Sequence, residues 1–535
     1  MSHRRKKFLS AGLAGVLCST ALFGLTAAYA DGKNNLHLPG MRDRSHSPEN
    51  SFTRMFPELP PFAPPTDEAR EQAKKLGEKG GLIDALDGNV GDPRASNPDN
   101  PNMPAGFTFF GQFLDHDVTL DPRSPLLEKT NPKKTINFRT AAFDLDSVYG
   151  DGPEASPLLY DVSSDDIKLR VEPIPGSELV SRNGVVRFDL PRDPNNNAFL
   201  GDGRNDENVI ISQFHVAILS FHNEVIKRLR EDPSQANESA ERIFKMAQRQ
   251  VRWHYQWIIL HEFLPLTIGQ ERVDDILKNG PRFYRVDDDA DDRRDRRSKS
   301  PKIPIEFSVA AYRFGHSQVR PGYRANFGPT GGPPFAASIF DDTETPTVSD
   351  PNDLRGGKRA ARRFVDWQSF FNFGDGNFRN NKRIDGRLSS ALLQLPGSSG
   401  VPAPGLPADG VQSLASRNLM RHVNFGIPSG QAIAQRMGVP VLTPEQLVML
   451  TPFGMEKSTP LWFYILKEAE IMEDGLRLGP VGGRIVGEVF IGLLKADESS
   501  YLAARPNWTP ELPSATAGEF RMTDLLNFAK VVHPL

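Results

Sequence analysis

The stretch FTFFGQFLDHDVTLDP, Phe107 to Pro122, restricts this chain more than any other. Phe109, Phe110, Phe113, Leu114 and Val118 give it the apolar content of a buried helix, yet Asp115, His116 and Asp117 stand together in its middle. A buried carboxylate costs several kcal/mol unless a counter-charge, hydrogen bonds or a metal compensates it. A helix advances about 100° per residue. With Gln112 at zero, Asp115 lies near −60°, His116 near +40° and Asp117 near 140°. Gln112, Asp115 and His116 therefore address one site and Asp117 another.

The rest of the chain supports a large core around that helix. Its 535 residues open with Arg4-Arg5-Lys6-Lys7, an apolar run from Phe8 to Leu25, and the small-residue pattern Ala28-Tyr29-Ala30. That is the layout of a cleaved leader, residues 1–30, and implies a secreted or periplasmic protein. Cleavage takes the formal charge from −3 to −7 and removes Cys18, the only cysteine. The remainder has no disulfide, no thiolate ligand, no basic footprint for nucleic acid and no further apolar run long enough for membrane insertion. Residues 31–100 are rich in Pro, Asn and Asp and read as an extended arm; 101–535 read as one mainly α domain with little β structure. Amphipathic patterns predict helices over 207–231, 239–265 (stopped by Pro265), 460–475 and 482–498, with one short strand in GVVRFDL. The charged stretch 286–300 and the Pro/Gly-rich 328–338 and 395–410 read as loops.

Three further segments carry polar groups of interest. TAAFDLDSVYG places Thr140, Asp144 and Asp146 as alternating oxygen donors, which suit calcium together with Asp117. GDGRNDEN sets Arg204 and Glu207 three apart, on one face if the chain is already helical there. SVAAYRFGHSQ holds His316 in an apolar run after Gly315, which leaves room for something bulky. Each segment alone also reads blandly, as a loop, a helix start or a core histidine. The pairs His254/His261 and His215/His222 are spaced two helical turns apart, but HEFLP lacks the second histidine of a zinc-binding HExxH.

FGQFLDHD, FDLDSVYG, GDGRNDEN and AAYRFGH, in this order over about residues 100 to 500, resemble the animal-type haem peroxidase superfamily, and the leader and lack of cysteines suit a bacterial secreted member. The resemblance implies a single helical haem-peroxidase domain holding haem b and calcium. It implies reduction of hydrogen peroxide through a ferryl intermediate and oxidation of a small reducing substrate: halide, thiocyanate or phenol. His116 matches the distal histidine, Gln112 its pocket glutamine and Arg204 the distal arginine. Asp115 and Glu207 match the acids that esterify haem, His316 the proximal iron ligand and Arg313 the arginine beside the haem. Asp117, Thr140, the carbonyl of Ala142, Asp144 and Asp146 match the calcium ligands. Gln431 in GIPSGQ aligns with the asparagine that accepts from the proximal histidine. Asn208 replaces the methionine of the sulfonium link found in some members, so that link is excluded. The rival readings are a fatty-acid dioxygenase of the cyclooxygenase-like branch and a non-catalytic, calcium-stabilised extracellular protein. The first expects a tyrosine three residues before the proximal histidine, where this chain has Arg313 and places Tyr312 one further back.

Overall fold

The computed structural model describes residues 50–88, 92, 94–163, 166–286, 301–343, 348–396 and 410–535. The leader, the first part of the arm, the charged stretch from 287 to 300 and most of the 395–410 connector lie outside the described residues.

Helices carry the architecture. The helix Gly106–Val118 runs through the core, with eleven of its residues buried. Its start is possible only because position 106 is glycine: a Cβ there would lie 2.2 Å from the Phe371 ring. Phe107 meets Phe371 edge-on at 5.2 Å, Phe110 meets Phe263 at 5.5 Å, and Phe113 packs on Phe214 at 5.2 Å. Such aromatic pairs add to the burial of their area.

Phe214 belongs to the long helix Val209–Glu231, capped by Asn208, whose Oδ1 accepts from Ile210 N–H (3.1 Å) and Ile211 N–H (2.9 Å). By length and composition this helix could cross a bilayer, but most of it is buried in the fold, as a core helix is. It packs against Ala240–Ile258, which starts at the cap Ser239. The helix does not stop at Pro265 as the sequence suggests. A π turn, Ile259–Phe263, intervenes, and Pro265 then sits in the first turn of Leu264–Ile268, where its missing N–H costs nothing. Near the C-terminus Leu461–Met472 packs on Pro480–Ala496. Buried Glu468 ties them, accepting from Val481 N–H (3.0 Å) and Gly482 N–H (3.2 Å) at the start of the second helix, where the first N–H groups lack partners within the helix.

Strand content is three antiparallel two-stranded ribbons among the described residues: Asp99–Pro104 with Asn380–Lys382, Glu172–Pro173 with Phe188–Asp189, and Gly322–Asn326 with Phe335–Ser338. The second contains the end of the expected GVVRFDL strand. The mainly α expectation is met.

The arm is not wholly extended. It contains the helix Asp67–Leu76, capped by Thr66 and packed on Leu414–Phe425, so closely that a Cβ on Gly77 would lie 2.3 Å from Ser416 N. Upstream, Met55 N–H donates to Glu306 Oε2 (2.9 Å) inside the core. Glu306 begins a π turn, Glu306–Ala310, that leads into the 3₁₀ segment Ala311–Gln318 bearing His316. The arm thus braces the segment that carries the proximal candidate.

Candidate functional site

The two faces expected on Gly106–Val118 are separate sites in the fold. On the first, His116 is buried and its Nδ1 lies 2.8 Å from Asn205 Oδ1. Its Nε2 lies 3.5 Å from Glu207 Oε1. Burial and the Arg204 charge push this imidazole down to about 4, so it is neutral at neutral pH. Burial conversely pushes Glu207 up to about 7. Gln112 accepts weakly from Asn208 Nδ2 (3.4 Å).

Arg204 and Glu207 do share a face, though not on the long helix. They lie at and just after the 3₁₀ turn Gly203–Asp206, where residues three apart eclipse. Asp202 grips Arg204 with both carboxylate oxygens: Nε donates to Oδ1 (3.1 Å) and Nη2 to Oδ2 (2.8 Å). Nη2 also donates to Thr119 O (2.5 Å). Burial would lower the guanidinium's pKa, but Asp202 outweighs it and holds the charge. Nη1 is left nearest Asp115 Oδ2, at 3.8 Å.

Asp115 is the electrostatic hub. Its Oδ2 lies 3.3 Å from Arg313 Nη1, and Thr119 Oγ1 donates to its Oδ1 (2.9 Å). Burial works to raise its pKa; Arg313 and then Arg204 outweigh it and keep Asp115 ionised. The Asp115–Arg313 pair joins the DHD helix to the His316 segment, so these two stretches are neighbours in space.

His316 has the surroundings of a ligand rather than of a core histidine. Its ring lies deep in the protein, where burial pushes the imidazole down to about 3, yet it is only half-buried by solvent contact. A Cβ on neighbouring Gly315 would meet nothing within 4 Å. The amide Nδ2 of Asn418 lies 2.8 Å from Nδ1, and no hydrogen bond to Nε2 exists among the described residues. Gln431 does not take the part expected of it. Its Nε2 donates to Thr459 Oγ1 (2.9 Å) and its Oε1 accepts from Thr459 N–H (2.9 Å), which locks it at the far end of its helix. Asn418, on Leu414–Phe425, stands in its place. These features fit haem: a neutral imidazole with an unbonded Nε2, an amide fixing Nδ1, and space beside the backbone.

The second face carries Asp117. It is wholly buried and lies with Asp144 and Asp146 in a triad whose ligand atoms are within 4.8 Å of one another. Tyr255 OH donates to Asp117 Oδ2 (3.1 Å), but Oδ1 is buried without a partner. Leu145, with φ 58° and ψ 37°, turns the chain left-handed between Asp144 and Asp146. Thr140 joins them: its Oγ1 donates to Asp144 Oδ1 (2.8 Å) and its N–H to Asp146 Oδ2 (3.1 Å). Burial and the like charges of Asp144 and Asp146 push Asp117 well up; burial and Asp146 push Asp144 up to about 6. Two unit charges at this separation repel by roughly 3–4 kcal/mol at an effective dielectric near 20. Arg139, 3.1 Å from Asp146 Oδ1, offsets only part of this. The donor set is all hard oxygen and fits a divalent cation such as calcium. Ala142 is half-buried within the same loop.

The histidines weighed for zinc are otherwise engaged. His254 Nδ1 bonds Gln250 O and His261 Nε2 bonds Tyr501 OH. His222 bonds Tyr149 OH and Ile167 O, and His215 bonds Asn205. Residues that the sequence pattern did not single out are Asp202, Asn205, Tyr255 and Asn418. None of them stood out in the sequence; Asn418 lies one turn before His422 on a helix that also carries Ser416, Arg417, Arg421 and Asn424.

Comparison with known proteins agrees with this architecture. The sequence model described as animal haem peroxidase matches residues 122–341, which takes in the Thr140–Asp146 loop, Arg204, Glu207 and His316 but starts after the DHD helix. Similar proteins include human (Homo sapiens) thyroid peroxidase, 27% identical over 36% of this chain and 21% of that protein. Peroxinectin A of Dictyostelium discoideum is 25% identical over 58% of this chain and 50% of that protein. The chain thus spans half or less of these relatives. Peroxidase A from Dictyostelium discoideum shares the fold with a TM-score of 0.54 at 17% identity, over 88% of this chain and 91% of that one. Fatty acid alpha-dioxygenase from Oryza sativa does so at 0.53 and 14%, over 87% and 76%. The chain shares the mainly helical fold of these peroxidase and dioxygenase structures. Over residues 122–341 the chain is similar to the animal haem peroxidase family.

Proposed function

We propose that this protein is a haem-dependent peroxidase that reduces hydrogen peroxide and oxidises a small donor, a halide, thiocyanate or a phenol. The observation that carries the reading is His316: a deep, half-accessible, neutral imidazole whose Nδ1 meets an amide and whose Nε2 has no hydrogen-bonding partner among the described residues. His316 would ligate the iron through Nε2, with the Asn418 amide turned so that its Oδ1 accepts from Nδ1–H, orienting the ring and tuning its basicity. Bound haem supplies the redox-active iron that makes O–O cleavage and electron uptake from the donor possible.

The chain's own groups move protons and balance charge. Neutral His116 would accept a proton from peroxide at Nε2 and hold it for return to the departing oxygen. Such a relay is worth about 10²–10⁴-fold. Arg204, fixed by Asp202, keeps Nη1 available and stabilises negative charge developing on the peroxide. Gln112 and Asp115 would border the same space, and Asp115 and Glu207 would be the acids available for ester links to the haem. Calcium at Asp117, Thr140, the Ala142 carbonyl, Asp144 and Asp146 would fix the residue next to His116 and so the ring itself. The leader pattern supports export to the periplasm or outside the cell.

A dioxygenase acting on fatty acids shares the fold, but Arg313 occupies the position of its radical-bearing tyrosine and pairs with Asp115. Tyr312 donates to Gly111 O (3.0 Å) and stacks on Phe307. The test is haem loading of the purified chain followed by stopped-flow absorption after peroxide and then bromide, iodide, thiocyanate or a phenol. A Soret band, a peroxide-dependent intermediate and its consumption by one donor are expected, and His316→Ala should abolish the band. A wild-type protein without a Soret band, or an iron spectrum unchanged in His316→Ala, refutes the reading.

A further inference from the structure

Asn205 has no role in the scheme above, yet it is completely buried between two imidazoles. Its Oδ1 lies 2.8 Å from Nδ1 of His116 and its Nδ2 lies 3.1 Å from Nδ1 of His215. A carboxamide presents an acceptor on one side and donors on the other. Both contacts are hydrogen bonds only if His116 carries its proton on Nδ1 and His215 carries its own on Nε2. His215 is 2% exposed, with its ring edge-on to Phe113 at 6.0 Å, so it cannot swing away to release the amide.

We propose that Asn205 is a positioning residue that sets the tautomer of His116, keeping the proton on Nδ1 and leaving Nε2 as the lone pair that receives a proton from peroxide. This rests on the peroxidase reading. The proton leaves the near peroxide oxygen and arrives at Nε2, while Nδ1 keeps its own proton and its bond to Asn205. His215 is the anchor: its Nδ1 lone pair holds the amide in the orientation that points oxygen at His116. A ring fixed this way needs no tautomer exchange before it accepts a proton.

The test uses the haem-loaded full chain at pH 7, as wild type, Asn205→Leu and Asn205→Asp. Leucine matches the volume and accepts nothing, whereas the aspartate carboxylate still accepts from Nδ1. Asn205→Leu should slow the reaction with peroxide about 10²-fold, with the donor step unchanged. Asn205→Asp should stay within about tenfold of wild type. Cyanide affinity, read from the Soret shift, gives a measure apart from turnover, because HCN must pass its proton to the same Nε2. It should weaken about tenfold in Asn205→Leu and hold in Asn205→Asp. The inference is overturned if Asn205→Leu, with its haem band intact, reacts with peroxide and binds cyanide as wild type does. It is also overturned if both variants slow every step alike, which marks a merely structural role. Should Asn205→Leu fail to fold, a hundredfold loss in folded, haem-loaded Asn205→Asp overturns it. A wild-type chain that binds no haem removes the peroxidase reading itself and this inference with it.

Discussion

Asp115 and Asp117 lie two residues apart on one helix, both buried, and end in opposite electrostatic states. Asp115 faces Arg313 and Arg204 and is held ionised. Asp117 faces Asp144 and Asp146, keeps one oxygen unpartnered, and is pushed toward its protonated form. Both are buried; the sign of the neighbouring charge decides. One face of the helix is balanced by arginines, while the other holds clustered acids and an unpartnered carboxylate oxygen.

The comparison has consequences of falling size. In chelator, the Asp117 face should make stability fall as pH rises from about 4 to about 6. The folded-state carboxyl pKa values there are raised, to about 6 for Asp144, so the native state binds more protons than the unfolded chain across that window. One proton's difference corresponds to about 1.4 kcal/mol per pH unit. Asp115, with its pKa lowered, acts with the opposite sign, and its contribution is lost only as pH drops below the ordinary carboxylate range. Thermal melts against pH in chelator and in calcium would show it; identical profiles in the two would break the contrast.

Calcium at one hundred times its dissociation constant should add about 2.7 kcal/mol, measured by denaturant titration. Asp117→Asn should then change sign with conditions. It should stabilise by about 1–2 kcal/mol in chelator, where it removes a like charge, and destabilise in calcium, where it removes a ligand. A loss of equal size in both conditions would end the cation reading.

Asp115→Asn is the smallest effect and should not respond to calcium. It strands Arg313 and Arg204 near each other, but Arg313 is about a third exposed and solvent screens it, so a cost of about 1 kcal/mol is expected. A calcium-dependent cost would mean that the two faces are coupled.

The DHD helix shows how far local pattern reaches. Its two faces follow from 100° per residue alone, and the structure keeps them apart. Arg204 and Glu207 also come to one side, but through a 3₁₀ turn that the spacing did not specify. The reading stopped where a partner is distant in the chain. His316 and Asn418 are 102 positions apart, and His116 and Asn205 are 89. Gln431 looked a plausible partner for His316 by its motif, yet Thr459 claims both ends of its amide. Pro265 looked like a helix stop until the π turn before it let the chain continue.

By itself the sequence determined the helical character, the motif order and which side chains share a helix face, because these depend on periodicities of three or four residues. Tertiary structure alone decided which acid meets arginines and which meets acids, which amide holds each imidazole, and where a ring stays unbonded deep in the fold. Those outcomes depend on the packing of segments a hundred residues apart, and a hydrogen bond or an ion pair changes its worth, and a carboxyl its charge, with whichever neighbour that packing supplies.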